Sequence, residues 1–370
     1  MTDIQIGGTK RARRAYSFDE VAIAPSRRTR DPQAVSTSWT IDAYRFNTPI
    51  MAAPMDSVVS PTSAVTLAES GALAVLNIEG LWGRYEDPEP VLEEIAGLEG
   101  PQVTARLQQL YAARPVDPDL VRTRLAGMKD DGIVVAAGIS PQGTAELAPI
   151  AAASGADIIV IRGTTVSAEH VTDGESPLNL KDFIHRLDVP VIVGGCATYQ
   201  AALHLMRTGA AGVLVGFGGG ASHTTADVIG VRVPMASAVA DVAAARRDYL
   251  DESGGRYVHV IADGSMGRSG DLVKAIACGA DAVMVGSTFA RAVDAPGRGA
   301  HWGAEAWHAH LPRGERNRMA QIGTLAEIMH GPSRTADGYM NLVGALRKAM
   351  ATTGYSDLKE FQRVEMVVTG

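Results

Sequence analysis

The sequence predicts an α/β chain that folds as a single (β/α)8 barrel, and three observations lead to this fold class. The 370 residues are 46% hydrophobic and 20% charged, a composition that supplies a large core. Eight short apolar runs alternate with segments of helical periodicity, and the runs lack the polar alternation of a half-exposed sheet. A helix-Gly-strand unit also recurs three times. Together these features favour a closed parallel barrel over an open sheet.

The eight apolar runs have the length of strands and are rich in Val, Ile and Ala, which is typical of parallel strands covered on both faces. The intervening segments repeat apolar residues with helical spacing, for example over 201–207 and 271–278. The predicted strands cover residues 49–55, 73–77, 133–140, 158–163, 190–197, 212–218, 258–264 and 282–288.

The recurring unit contains a glycine between helix and strand. It reads SGADIIVIRG, TGAAGVLVGFG and CGADAVMVGS in its three copies. We expect Gly155, Gly209 and Gly279 to end helices in the left-handed conformation that glycine adopts easily.

Two segments depart from the repeat. Residues 84–132 contain helix-like stretches and predict two or three exposed helices that elaborate the loop after the second strand. Residues 291–322 fall in a His-, Arg- and Gly-rich region and predict a long, flap-like loop at the catalytic end of the barrel. Because neither segment has a core of its own, we expect one domain over 1–370.

The composition excludes several classes of partner. Lys and Arg total 34 against 41 Asp and Glu, a net charge of −7, and the basic residues are spread along the chain, so nucleic acid is not expected as a partner. A membrane is not expected either, because no run approaches the roughly 18 apolar residues of a span. The two cysteines, Cys196 and Cys278, lie in apolar segments and no export signal precedes them, which indicates a reducing cytoplasm.

The site is expected where the strands of such a barrel end. The loops after the seventh and eighth strands read ADGS and VGST, and their glycines and serines are suited to hold a phosphate. The sixth strand is followed by four glycines within 216–220 and then by a polar stretch that ends at Thr225. A flexible linker has similar glycines, but a position directly after a buried strand favours a loop that binds an ion or a ligand closely.

Several of these motifs together resemble the IMP dehydrogenase/GMP reductase family, in particular its short IMP dehydrogenase-related branch without the regulatory CBS pair. The resemblance covers nearly the whole chain, and 84–132 corresponds to the place where longer members carry the CBS insertion. The motifs are YSFDEVAIAPSRRT (16–29), PIMAAPMDSVVS (49–60), GFGGGASHTT (216–225), VIADGSM (260–266), VMVGSTFA (283–290) and NLVGALRKAMATTGYSDLKEF (341–361).

The resemblance implies a site for a purine ribonucleoside monophosphate, which is IMP, GMP or XMP. Met55 matches the family Met that packs on the purine, and Asp263 matches the carboxylate that holds the ribose hydroxyls. Gly264 and the Gly286-Ser287 pair match the phosphate-binding positions. The complete nucleotide-binding set implied in this way is Met55, Ser222, Asp263, Gly264, Ser265, Gly286 and Ser287.

The resemblance also implies where catalysis takes place. In the family, a Cys attacks the purine C2 atom while hydride moves to or from a nicotinamide. His223 occupies that Cys position, Thr225 matches a Thr of the proton relay, and Glu315 lies near its acidic partner. Since an imidazole is a weaker nucleophile than a thiolate, three functions stay open. They are IMP oxidation to XMP with NAD, GMP reduction, and nucleotide binding or regulation without hydride transfer.

The resemblance further implies NAD or NADP as a cofactor, potassium as an ion, and a cytoplasmic homotetramer. The cofactor positions are Asn77, Arg162, Thr164 and Cys196, and Arg162 replaces an Asp that positions the nicotinamide riboside. A monovalent cation is expected on the backbone of Gly218, Gly220 and His223.

Overall fold

Eight parallel strands close into a barrel, which confirms the predicted fold class. The computed structural model describes residues 3–168, 170, 178–216, 222, 225–308 and 315–369. The barrel strands are Ile50–Ala52, Leu73–Asn77, Ala136–Ile139, Ile158–Arg162, Val191–Cys196, Gly212–Val215, His259–Asp263 and Ala282–Val285.

The strands follow one another around the barrel in chain order, and the last pairs with the first. Val283 lies opposite Ile50 and Val285 opposite Ala52 in this closing ladder. Each observed strand lies within a predicted run, and most are shorter because the runs also include the first loop residues. The strand residues are almost all buried, as the absence of polar alternation predicted.

Helices cover the outside of the barrel and alternate with its strands. Side-chain caps fix several helix starts; for example, the Ser63 amide donates to Ser60 Oγ at 3.0 Å. No helix in the described ranges is both long and apolar enough to cross a membrane. The α-helices are Pro61–Glu69, Glu89–Gly97, Val103–Ala112, Pro118–Asp130, Thr144–Ala153, Leu180–His185, Tyr199–Met206, Thr225–Ile229, Met235–Glu252, Ser269–Ala277, Ala304–Trp307, Leu325–His330, Leu342–Thr352 and Leu358–Phe361.

The glycines of the repeated unit have the predicted backbone. Gly155, Gly209 and Gly279 have φ angles of +100°, +96° and +114°, each just after a helix and before a barrel strand. These angles lie where residues with a Cβ are strained, so glycine is required for the tight reversal.

The segment 84–132 forms three helices, as predicted, but it is not simply exposed. Each of its helices buries an apolar face against the barrel or its neighbours, so the segment adds to the core. The buried side chains are Leu92, Ile95, Leu107, Leu110, Tyr111, Val121, Leu125 and Met128.

The described parts of the segment 291–322, which are 291–308 and 315–322, contain more secondary structure than a long loop. Ala300–Trp302 pairs with Arg316–Arg318 in an antiparallel ladder, and the short helix Ala304–Trp307 lies between them. The strand Ala300–Trp302 is buried, so it places its side chains beside the barrel end. Sequence reasoning missed this pair because three-residue strands are too short for a periodic signal.

A buried carboxylate, Asp281, joins the last barrel strand to the outer helices. Arg246 Nη1 donates to its Oδ2 at 2.7 Å, Tyr257 Oη donates to Oδ1 at 2.8 Å, and Lys359 forms a second ion pair. Burial alone would raise the pKa of Asp281, but the charges of Arg246 and Lys359 outweigh this effect and hold the pKa well below its usual range.

We expect Asp281→Asn to lower the free energy of unfolding by about 3–5 kcal/mol at pH 7, because it leaves the buried Arg246 cation without its partner. Since the folded-state pKa lies below the ordinary value of 3.8, the contribution of Asp281 is complete above about pH 4 and is lost as the pH falls toward the folded-state pKa. Urea unfolding of both proteins between pH 3 and pH 7 measures this, with the exposed Asp251→Asn as control. An unchanged free energy of unfolding at pH 7 would contradict the assignment.

Candidate functional site

One narrow cavity of about 30 Å³ lies at the carboxyl end of the barrel. All seven residues predicted to bind the nucleotide line it, although they come from four separate parts of the chain. Arg162, which sequence reasoning assigned to the cofactor, lines the same cavity. The complete lining is Ala53, Met55, Arg162, Ser222, Asp263, Gly264, Ser265, Met266, Met284, Gly286, Ser287 and His301.

An ion pair between Arg162 and Asp263 spans the cavity. Arg162 Nε donates to Asp263 Oδ2 at 2.7 Å, and Nη2 donates to Oδ1 at 3.4 Å. The two side chains are 15% and 9% exposed, so the pair is largely shielded from water. Burial alone would lower the pKa of Arg162, but the Asp263 carboxylate and then the nearby Glu305 outweigh it and raise that pKa. The Arg162 cation therefore balances the negative charge of the Asp263 carboxylate.

The loops after the seventh and eighth strands form the next part of the wall. Gly264 and Ser265 have φ angles of +116° and +58°, so the backbone turns sharply after Asp263. Thr288 is fully buried, and its Oγ1 donates to the Gly267 carbonyl at 2.6 Å, which fixes one loop against the other. Ser265 and Ser287 consequently lie on a common wall.

Met55 forms the apolar edge of the cavity near Gly286, and His301 forms the polar edge. A Cβ at position 286 would lie 3.2 Å from Met55 Sδ and 3.6 Å from His301 Cε1, so glycine keeps this space open. His301 Nδ1 lies 3.1 Å from Ser57 Oγ, and its Nε2 lies 3.3 Å from Ser222 Oγ. The imidazole is 2% exposed and is held between two hydroxyl groups.

Sequence reasoning did not find His301 or Glu305. Both are buried and lie within 300–307, in the segment predicted to be a loop. Glu305 Oε2 would lie 2.8 Å from a Cβ at Gly303, at the edge of the cavity. The available signal was the sequence AHWGAEAW, in which polar residues interrupt an apolar stretch directly after a glycine-rich turn.

Asp56 lies behind the cavity and is fully buried. Tyr111 Oη and the Leu81 amide both donate to its Oδ2, the latter at 3.1 Å, whereas Oδ1 is buried and has no hydrogen-bond partner among the described residues. Trp302 Nε1 donates to Tyr111 Oη at 2.8 Å. Burial raises the pKa of Asp56 to about 6. A Cβ at Gly80 would lie 2.0 Å from the carboxylate, so glycine is required there.

The other predicted residues do not line this cavity. Cys196 is 1% exposed, its Sγ lies 3.4 Å from the Leu214 carbonyl, and burial raises its pKa to about 12. Thr225 is buried at the start of a short helix, and Glu315 is half-buried before Arg316–Arg318. Asn77 ends the second strand and Thr164 follows the fourth.

Two of the four residues implied for a nicotinamide, Cys196 and Arg162, do not fit that group. The Cys196 thiol is turned into the core. The Arg162 guanidinium forms an ion pair with Asp263. His223, predicted as the nucleophile, lies outside the described residues, as do the cation positions Gly218 and Gly220.

The second cysteine also offers no reactive thiolate. Cys278 Sγ lies 3.8 Å from Met366 Sδ, at the end of the helix Ser269–Ala277, and burial raises its pKa to about 12. Because the sequence has only two cysteines, every thiol of the chain is far from its ionised state at neutral pH.

The comparisons with known proteins agree with this geometry. The IMP dehydrogenase / GMP reductase domain matches residues 15–369. An uncharacterized oxidoreductase of Mycobacterium tuberculosis is 50% identical and is covered over 100% of its length by 99% of this chain. The inosine-5'-monophosphate dehydrogenase of Thermoplasma acidophilum is 27% identical over 94% of this chain and 90% of its own.

One solved structure is similar over almost its whole length. An IMP dehydrogenase/GMP reductase-like protein from Corynebacterium glutamicum superposes with a TM-score of 0.94 and is 49% identical, over 99% of this chain and 97% of that one. The sequence match and the structural match therefore identify the same group of proteins.

We expect the Asp56 carboxylate to make stability depend on pH. Its folded-state pKa of about 6 lies above the ordinary value of 3.8, so its contribution is greatest below about pH 4 and is lost as the pH rises through 6. Asp56→Asn should be less stable than the parent by a margin that shrinks, by on the order of 2 kcal/mol, between pH 4.5 and pH 7.5. Urea unfolding at both pH values tests this, with the exposed Asp130→Asn as control. A margin independent of pH would refute the account.

Proposed function

We propose that this chain, which belongs to the IMP dehydrogenase/GMP reductase family, binds a purine ribonucleoside 5′-monophosphate (IMP, GMP or XMP) in the cavity between Met55 and Asp263. The observation that carries the proposal is the convergence of the seven nucleotide-binding positions on one cavity. Their roles come from the resemblance. The space of about 30 Å³ where these positions meet is smaller than a nucleotide, so the ligand must extend from it into the adjoining open space.

Asp263 is assigned to the ribose. A carboxylate has about four acceptor sites, and Arg162 uses two of them. The remaining sites can accept hydrogen bonds from two vicinal hydroxyl groups. Arg162 fixes the orientation of the carboxylate and leaves acceptor sites over, so the ion pair is compatible with sugar binding.

The phosphate is assigned to the wall formed by the loops after the seventh and eighth strands. Gly264 and Gly286 allow backbone amides to approach an anion, and the Ser265 and Ser287 hydroxyls lie on the same wall. The base is assigned to the space beside Met55. The polarizable thioether suits a purine face, and His301 and Ser222 offer polar partners at its edge.

We further propose that the chain does not use the thiolate route of hydride transfer. His223 replaces the family Cys, and both thiols of the chain have a pKa near 12. A cation at position 162 would repel an oxidised, positively charged nicotinamide ring, but the pairing of Arg162 with Asp263 weakens that effect. The case against hydride transfer therefore depends mainly on the missing thiol.

A second candidate is an oxidoreductase of the family type, either IMP oxidation to XMP with NAD or the GMP reductase reaction. It is favoured by the full-length similarity to proteins described as oxidoreductases and to inosine-5'-monophosphate dehydrogenases. A cytoplasmic homotetramer is part of both proposals and follows from the resemblance.

Calorimetry with IMP and GMP tests the binding proposal. The parent protein should bind at least one of them, and Asp263→Ala should weaken binding by about 1.5–3 kcal/mol, roughly ten- to a hundredfold. Asp251→Ala, on an exposed helix surface, should bind like the parent. Circular dichroism verifies that the variants are folded. No binding by the parent, or equal binding by Asp263→Ala, would end the proposal.

A turnover assay separates the two candidates. The protein is incubated with IMP plus NAD and with GMP plus NADPH, and absorbance of the reduced cofactor is followed. We expect no turnover by the parent protein, because a neutral imidazole is a poor replacement for a thiolate at C2. His223→Cys, which keeps the Arg162–Asp263 pair, tests whether the thiol is what is missing. Robust turnover by the parent, with a covalent adduct on His223 or Cys196 in mass spectra, would favour the second candidate.

A further inference from the structure

A second, larger cavity of about 360 Å³ opens beside the nucleotide cavity. The two cavities share Ser265, Met266 and Ser287, so the wall assigned to the phosphate belongs to both. A volume of about 300–1,000 Å³ is usual for a small-molecule site, which makes the second cavity large enough for a ligand of its own. The roles assigned above use only this shared wall and leave the rest of the second cavity unassigned.

Three arginines line this second cavity. They are Arg232 and Arg268, which are exposed, and Arg291, which is half-buried. Arg291 Nε is buried and has no hydrogen-bond partner among the described residues, while its Nη1 donates to the Ala320 carbonyl at 3.4 Å. The guanidinium therefore makes a single long hydrogen bond among the described residues, and its charge is available to an anionic ligand in the cavity.

Tyr339 holds two of the arginines in place. The Arg291 guanidinium lies 4.4 Å from the centre of the Tyr339 ring, and that of Arg268 lies 5.8 Å from it. Stacking of this kind restricts a guanidinium to one plane, which prepares it for bidentate contact with phosphate.

Two carboxylates also line the second cavity. Asp271 accepts the backbone amide of Arg268 at 3.1 Å and so caps the helix Ser269–Ala277. Asp19 is exposed. The lining therefore carries three positive charges from arginine and two negative charges from aspartate. The net charge of +1 still suits an anion.

We propose that the second cavity binds the outer phosphate of a purine nucleoside 5′-diphosphate whose inner phosphate lies on the Ser265 and Ser287 wall. The inference depends on the proposed nucleotide site, because it extends the same ligand through the shared wall. The diphosphate is recognised by Arg268 and Arg291, with Arg232 at the mouth.

Calorimetry with GMP and GDP, in a chelating buffer free of divalent cations, tests this inference. The parent protein should bind GDP about tenfold more tightly than GMP, a gain of the size expected for one new charged contact. Arg268→Ala and Arg291→Ala should each lower GDP affinity about tenfold and leave GMP affinity within about twofold. Arg268 is exposed, so its variant should fold even if Arg291→Ala does not.

Arg247→Ala is the matched control, because Arg247 is exposed on the helix Met235–Glu252, about 18 Å along the axis from the cavity residue Met235. It should bind GMP and GDP like the parent. If GMP binds and GDP binds no more tightly, this inference fails while the proposed function stands. If both arginine variants weaken the binding of GMP and of GDP equally, the second cavity does not contact the outer phosphate and this inference fails. No binding of GMP or GDP by the parent would overturn both proposals.

Discussion

The ion pair between Arg162 and Asp263 is the interaction on which the candidate site depends. It joins the end of the fourth strand to the end of the seventh, across the opening of the barrel. A carboxylate that is 9% exposed would be costly without a partner, and the bidentate guanidinium both compensates its charge and fixes its orientation. Because Nε and Nη2 of Arg162 both donate to Asp263, these two donors are not available to a ligand.

Around this pair, the barrel brings distant segments together in a fixed order. Met55 follows the first strand and the Gly286-Ser287 turn follows the eighth, and these strands are neighbours because the barrel closes. The strand Ala300–Trp302 then adds His301 from outside the barrel. A polar network through Asp56, Tyr111 and Trp302 supports that strand from behind.

The sequence predicted the parts of the site that follow from local pattern. The strand ends, the glycines and the Asp263 loop lie where apolar runs stop, and runs of this kind are readable without a structure. The partner of Arg162 was not predictable, because it lies 101 positions away and no periodicity connects them. His301 contacts Ser57 across 244 positions, and Tyr111 contacts Asp56 from a helix that the sequence predicts only as an elaboration of a loop. Such contacts depend on how loops pack, which the pattern of one sequence does not encode.

The central claim is that a nucleotide binds with its ribose on Asp263 while Arg162 stays paired with that carboxylate. A crystal structure of the protein with GMP or IMP measures this directly. The account predicts both ribose hydroxyls within about 3 Å of the Asp263 oxygens, the phosphate on Ser265 and Ser287, and an intact Arg162–Asp263 contact. A nucleotide bound elsewhere, or one whose phosphate has drawn Arg162 away from Asp263, would contradict it.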